Sequence, residues 1–294
     1  MAKVALLVNA HSRTGREKFE ESCSALRNAG LDIESHLVDS LAESRRILES
    51  KIAEKSPMVI CGGGDGTLSS CASILAGTET ALGVLPLGTG NTFALGLKMP
   101  LQIAAAAEVL AKGTAAHVDV GRVNGRIFIN SVSIGASAHI AAELDPELKR
   151  KLGWLAWAVG AAKTRSHLRP LALELRTKTL RLKVRTQQIM VANNHHVAGF
   201  ITAPHVQLDD GQLETILLGR ESLQSLFWGF LSMVRRRKNK LDLFSFCSTE
   251  LTLLSSKRPL KANVDGEICE TTPLDIHVWP RALKVIVPET FFNP

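Results

Sequence analysis

Four glycines, an aspartate and a threonine stand together at Gly62-Gly63-Gly64-Asp65-Gly66-Thr67, between the apolar run MVIC and a helical run. Such a junction suits phosphate chemistry. Glycine lets the backbone approach a polyphosphate, a helix start presents free N–H groups and a positive dipole end, and Asp65 has the reach for a metal ion or a nucleotide hydroxyl. A plain glycine turn is the competing reading, and the coincidence of these residue types at one strand-to-helix junction argues against it. Neither GxxxxGK[ST] nor GxGxxG is present, since Thr67 replaces the last glycine of the latter, so the nucleotide is held differently. A second loop of the same character, Pro86-Leu87-Gly88-Thr89-Gly90-Asn91, follows LGVL. Asn9, Ser12 and Gly15 hold the matching position after VALLVN, although NAHSRTG alone reads as readily as a helix N-cap.

Further carboxylates recur at turns and strands: Asp119 in VDVG, Asp210 in APHVQLDDGQLE, and Glu267 in VDGE at Val264 to Glu267. Taken singly they are bland. VDV reads as a strand with one exposed acid, DDG as a type I turn capped by aspartate, and VDGE as a hairpin with an Asp-Gly turn. His195 and His196 are adjacent, so on a strand they face opposite ways and read as core or surface histidines rather than as ligands of one metal.

The first hundred residues alternate short β-branched runs with helical stretches: VALLVN then 15–29, LDIESHLV then 41–54, MVICGG then 68–75, and LGVLPL then helices to Lys112. This βα alternation predicts an open parallel sheet with helices on both faces and a ligand site at the carboxyl ends of its strands. The glycine loops sit at those ends. After Val118 the texture becomes paired strands, beginning with VDVGRVNGRIFIN, whose Asn124-Gly125 marks a two-residue turn, and the many short strands predict an antiparallel β-sandwich. Helical stretches over 138–167 and 221–240 interrupt it. The predicted division is therefore an α/β domain over 1–122 and a β-rich domain over 123–283, with 284–294 returning to the first.

Two domains of ordinary size suit 294 residues, and 45% hydrophobic with 21% charged residues predicts a chain folded almost throughout. The initial apolar run lacks a basic leader and a cleavage pattern, so it reads as a strand rather than a signal peptide. No apolar stretch approaches the roughly 20 residues that cross a bilayer. Five scattered cysteines form no CxxC, which predicts neither disulfides nor a zinc ribbon and fits a reducing cytoplasm. The net charge of +7 favours acidic partners. Tyrosine is absent and other aromatics are few, which argues against stacking platforms for nucleic acid. Basic residues Arg235, Arg236, Arg237, Lys238 and Lys240 follow the apolar Leu226, Phe227, Trp228, Phe230 and Leu231. Trp154 and Trp157 likewise lie near Lys149, Arg150, Lys151, Lys163 and Arg165. Both mixtures fit an interfacial surface, and also ordinary packing with a solvated helix end.

At these motifs, and over nearly its full length, the chain resembles the diacylglycerol kinase catalytic family, which includes sphingosine kinases and is related in fold to NAD kinases. GGDGT is intact at Gly63 to Thr67; the family's NPxSG and PxGTxND appear as Asn9 to Gly15, with Ala10 for proline, and as PLGTGNT, with Thr92 where aspartate is frequent. VDVG, the FIN run to Asn130, SIGASA, the DDG segment and VDGE follow in the family's order. The resemblance implies an NAD-kinase-like α/β domain joined to a β-sandwich, with ATP and a lipid acceptor in the cleft between them. It implies Glu267 as general base, Asp119 nearby as its partner or a second carboxylate, and a magnesium site at the Asp210 carboxylate with backbone carbonyls of Gln207 and Gln212. The expected function is an ATP-dependent lipid kinase, cytoplasmic and peripherally membrane-associated, that meets an anionic membrane reversibly and binds no nucleic acid; a homodimer stays open. An NAD kinase and a non-catalytic lipid-binding regulator are the rivals. The Asn-Glu pair expected of an NAD kinase occurs nowhere in the chain, and the regulator gains only from Thr92.

Overall fold

A computed structural model describes residues 3–12, 14–135, 170–198, 201–218, 243–255 and 258–293. The expected helices over 138–167 and 221–240, with both tryptophan and basic clusters, lie outside the described residues. Strands β1 (Val4–Asn9), β2 (Ile33–Val38), β3 (Met58–Gly63) and β4 (Ala81–Pro86) run parallel in the order β2-β1-β3-β4. Between and after them come α1 (Phe19–Asn28), α2 (Leu41–Ala53), α3 (Asp65–Leu75), α4 (Thr92–Gly96) and α5 (Ile103–Lys112). Every residue of β3 and β4 is buried, as expected of parallel strands covered on both faces. Helix α3 buries Leu68, Cys71, Ala72 and Leu75, the i, i+3, i+4, i+7 stripe that faces a sheet. Burying each leucine contributes about 1.5–3 kcal/mol, which anchors the start of α3 over the end of β3.

The chain then turns antiparallel, through β5 (Thr114–Val123), β6 (Arg126–Phe128), β7 (Ser131–Gly135), β8 (Leu171–Arg176), β9 (Arg181–Thr186) and β10 (Gln188–Ala192). After the small ribbon of β11 (His196–Ala198) and β12 (Ile201–Thr202) come β13 (Leu213–Leu218), β14 (Leu243–Ser248) and β15 (Glu250–Ser255). The last strands are β16 (Lys261–Val264), β17 (Glu267–Thr271) and β18 (Leu274–Val287). One antiparallel sheet has the order β14-β13-β10-β7-β16-β17. It faces β18, β15 and β8, and the two layers share one core: Leu173, Leu175, Leu251, Leu253, Leu274 and Ile276 from one side, and Val132, Ile134, Ile189, Val191, Leu213 and Leu217 from the other. Alternation along β8 and β15 sends every second residue inward, the pattern of a sandwich layer.

A single strand ties the two architectures together. Residues 274–277 of β18 pair antiparallel with β15, while Val285 pairs parallel with Leu82 of β4, so the parallel sheet and one sandwich layer form a continuous ten-stranded sheet. LDIHVW and LKVIVPE read as separate strands in the sequence because Pro280 divides them. The structure makes them one 14-residue strand with a register shift between Trp279 and Leu283, where Arg281 takes φ +53°. Proline has no N–H to give the ladder, and a bulge is where a strand tolerates it.

Candidate active site

The three loops expected to converge leave the carboxyl ends of β1, β3 and β4, and the structure interlocks them. The Asn9 side-chain amide donates to the Thr67 hydroxyl (2.9 Å), Thr14 donates to the Leu87 carbonyl (2.9 Å), and Leu87 N–H donates to the Gly63 carbonyl (3.0 Å). Ser12 stays local, its hydroxyl donating to the Asn9 carbonyl. Gly62 packs between Val8 and Leu87, and Gly64 is the N-cap of α3 with no side chain capping the helix, so Asp65, Gly66 and Thr67 form its open N-terminal turn. Helix α3 thus begins at Asp65, three residues before the expected start. Asn91, at φ +48°, folds its side chain back on Gly88, accepting from the N–H (2.9 Å) and donating to the carbonyl (3.0 Å); Thr89 is exposed at the tip. Asp65 leans across to this second loop, accepting from Phe93 N–H (3.0 Å) at the start of α4 and from the Asn130 amide (3.4 Å).

Gly88 packs its backbone directly against Gly64 of the other loop. A Cβ there would lie 2.5 Å from the Gly64 Cα and 2.9 Å from the Asn91 side-chain oxygen. Backbone cannot give way cheaply, so Gly88→Ala is expected to cost about 1–3 kcal/mol of stability and to weaken nucleotide binding by displacing both loops. Thermal unfolding and a fluorescent-nucleotide titration would check this; unaltered affinity would mean the loops do not hold nucleotide as a pair.

Two hairpin tips from the β-rich half complete the site. Asn124-Gly125 and Asp265-Gly266 each take φ values of +49°/+85° and +47°/+99°, the left-handed pair of a type I′ turn, and registers Val123↔Arg126 and Val264↔Glu267 close two-residue hairpins. The residues just after these turns meet: Arg126 Nη2 lies 2.7 Å from Glu267 Oε2, with side chains 45% and 56% exposed. Asp265 turns inward. Its carboxylate accepts from the Ser69 hydroxyl of α3 (2.7 Å) and from the N–H groups of Ile129 (2.8 Å), Asn130 (2.9 Å) and Ser131 (2.9 Å). Sequence reasoning gave neither Arg126 nor Asp265 a role, although the two X-Gly turns already fixed where they stand.

Asn9, Gly66, Thr67, Arg126, Asp265 and Glu267 all line one cleft of about 440 Å³, bounded on its far side by α2. Behind it the buried Asn194 amide donates to the Thr92 carbonyl (3.0 Å) and to the Asn130 side-chain oxygen (2.9 Å), carrying the link from Asp65 into the end of β10. This polar network crosses from the parallel half to the sandwich half, and satisfied networks of this kind fix geometry.

Residues 3–123 match the diacylglycerol kinase catalytic domain, and residues 130–287 match the YegS C-terminal NAD kinase beta sandwich-like domain. The chain belongs to the YegS-like diacylglycerol kinase family. By that membership it is a kinase. A Pseudomonas aeruginosa protein named "Probable lipid kinase YegS-like" is 28% identical over 286 residues, covering 96% of this chain and 94% of its own. A Klebsiella pneumoniae protein of the same name is 26% identical over 289 residues, covering 97% and 96%. The fold is shared with a diacylglycerol kinase crystal structure from Bacillus anthracis at TM-score 0.81 and 23% identity, with 98% of this chain and 97% of that chain covered.

Two family expectations are placed differently from the rest of the site. Asp119, expected near Glu267 as its partner or a second carboxylate, is buried, with one oxygen accepting from Gly211 N–H (2.6 Å) and the other from Arg281 N–H (2.7 Å). Both oxygens fasten the β18 bulge and the DDG loop to β5, which is a positioning task. Asp210 adopts the turn-capping arrangement, accepting from Gln207 N–H (2.8 Å) and Gln212 N–H (2.9 Å). Burial pushes its carboxyl above the usual range, and nearby Asp119 and Asp209 add to the rise while the two N–H groups oppose it. Thr92, the departure from the family pattern, is buried at the start of α4, leaving Asp65 as the carboxylate of the paired loops. His195 and His196 stack edge-on at 5.1 Å, and burial followed by the neighbouring imidazole holds His196 below its ordinary value.

Proposed function

We propose that the chain is an ATP-dependent lipid kinase that transfers the terminal phosphoryl group to a hydroxyl of a lipid such as diacylglycerol, in the cleft between the glycine loops and the two hairpin tips. The observation that carries this reading is that Glu267 lines the same cleft as Asn9, Gly66 and Thr67. A lipid hydroxyl is a weak nucleophile, so a carboxylate within reach accepts its proton as oxygen attacks the terminal phosphorus. The bond from that phosphorus to the bridging oxygen breaks, and ADP leaves. The N-terminal turn of α3 and the glycine loops supply N–H groups for the phosphates, and Asn9 holds the Thr67 hydroxyl in place. Reversible contact with an anionic membrane would deliver the acceptor. Among the described residues no helix is long and apolar enough to cross a membrane.

The DDG loop is where a magnesium ion would be held, by the Asp210 carboxylate with backbone carbonyls of Gln207 and Gln212. Asp210 spends one acceptor position per oxygen on the two N–H groups and keeps others, and its carboxyl is pushed up by burial and neighbouring carboxylates. A bound divalent cation would offset that charge and stiffen the loop. The sign follows from the raised folded-state value: Asp210 favours folding at low pH, and that contribution is lost as pH rises from its ordinary value of 3.8 through the raised one. Magnesium at neutral pH should therefore raise the melting temperature of the wild type and leave Asp210→Asn nearly unmoved. Equal shifts in both would place the ion elsewhere.

Transfer of labelled phosphate from ATP to a panel of lipids in mixed micelles, with NAD as a soluble acceptor, tests the proposal. Label in at least one lipid supports it. Label in NAD and in no lipid would assign the cleft to a dinucleotide kinase.

A further inference from the structure

We infer that Arg126 has two partners in turn: the Glu267 carboxylate that it holds in this structure, and the terminal phosphates of the nucleotide, for which it releases that carboxylate to act as base. The inference rests on the function proposed above and adds to it a phosphate-binding residue with a gating role. Four observations carry it. First, the Arg126–Glu267 contact of 2.7 Å occupies Oε2 and turns that edge of the carboxylate to the guanidinium, so release of Arg126 frees both oxygens, rather than Oε1 alone, to meet an acceptor hydroxyl. Second, both side chains are near half exposed, and a pair so screened is cheap to break. Third, a triphosphate offers more negative charge than one carboxylate and matches the guanidinium fork. Fourth, each residue directly follows a two-residue hairpin turn, so both side chains project from the same end of the site, and the long arginine stem lets the guanidinium change partner by rotation.

The surroundings favour Arg126 for this task. Of the other basic side chains lining the cleft among the described residues, His11 lies 3.7 Å from Asp39 and Arg45 lies 3.4 Å from Glu49, both on the α2 side. Arg126 alone of these three stands beside the proposed base. When the phosphates draw it away, its charge moves to where negative charge accumulates during transfer, and Glu267 is left facing the acceptor hydroxyl. Base activation is then tied to nucleotide occupancy.

Equilibrium binding of ATP and AMP, without lipid, to wild type, Arg126→Gln, Arg126→Lys and Glu267→Gln tests this. Loss of one charge-assisted contact should weaken ATP by roughly 10- to 100-fold in Arg126→Gln, leave AMP unchanged, and be partly restored by lysine. Because Glu267 competes with the phosphates for the guanidinium, Glu267→Gln should bind ATP more tightly than wild type. That tightening separates the inference from a merely structural ion pair, whose loss would loosen ATP equally in both glutamine variants. Wild-type affinity in Arg126→Gln, or weaker ATP binding in Glu267→Gln, would overturn it. Failure of the wild type to phosphorylate any lipid, with these affinities as predicted, would sink the acceptor assignment and leave Arg126 as a phosphate ligand.

Discussion

Glu267→Gln is expected to lower kcat by about 10²–10⁴-fold, the range for removing a positioned general base, while the protein folds normally and still binds ATP. Glutamine keeps the shape and one acceptor but cannot take the proton of the lipid hydroxyl. The side chain is exposed at a hairpin tip, and its ion pair with Arg126 is screened by solvent, so stability should change by less than about 1 kcal/mol. Steady-state kinetics beside thermal unfolding reads both halves of the claim. Near wild-type turnover with every accepted lipid would remove Glu267 from the chemistry.

Asp265→Ala should give the largest loss of stability among the site residues. Its carboxylate gathers three N–H groups of residues 129–131 and the Ser69 hydroxyl, binding the crossover into β7 and helix α3 to the β16–β17 turn. Alanine leaves these donors without their acceptor at about 1–3 kcal/mol for each one that water does not reach. It also places an ordinary side chain at φ +47°, which costs about 1–2 kcal/mol more. With water reaching part of the turn, a net loss of about 3–5 kcal/mol is expected, at the upper end for single substitutions. Asp265→Asn keeps the turn preference and one acceptor and should lose less. Burial pushes the Asp265 carboxyl up and its four hydrogen bonds pull it back. Wild type should therefore lose stability as pH rises from 3.8 through the raised value, a slope that the alanine variant lacks. Urea unfolding across pH measures both; an alanine variant as stable as wild type would show that the turn and α3 are held by other contacts. Since Ser69 lies two residues beyond Thr67, nucleotide affinity should fall with stability.

These two residues also show what the sequence made legible and what it hid. The Asp-Gly and Asn-Gly turns were readable because only a few residue types tolerate two successive left-handed conformations, and the βα alternation was readable because burial on two faces demands apolar runs. Which side chains meet across the turns was not readable. Arg126 and Glu267 are 141 positions apart, and their contact exists only because β6 and β17, in different sheets, begin side by side. The motif VDGE drew attention to its glutamate, whereas the aspartate two positions earlier carries the hydrogen bond that holds the motif to α3. Asp119 shows a second kind of hidden contact: its motif drew attention to the carboxylate, but not to the backbone N–H groups of Gly211 and Arg281 that its two oxygens fasten. Pro280 hid the continuity of β18, since a proline inside an apolar run normally ends a strand and here marks a bulge.

Hydrogen exchange measured with and without ATP and magnesium tests most directly the claim that the phosphoryl group passes between the glycine loops and the Glu267 hairpin. The expected result is slowed exchange at residues 9–12, 63–68 and 86–91 together with the tip at 264–268, in wild type and Glu267→Gln alike. Protection confined to the loop at 207–212 and its neighbour Asp119, with the glycine loops unchanged, would contradict it.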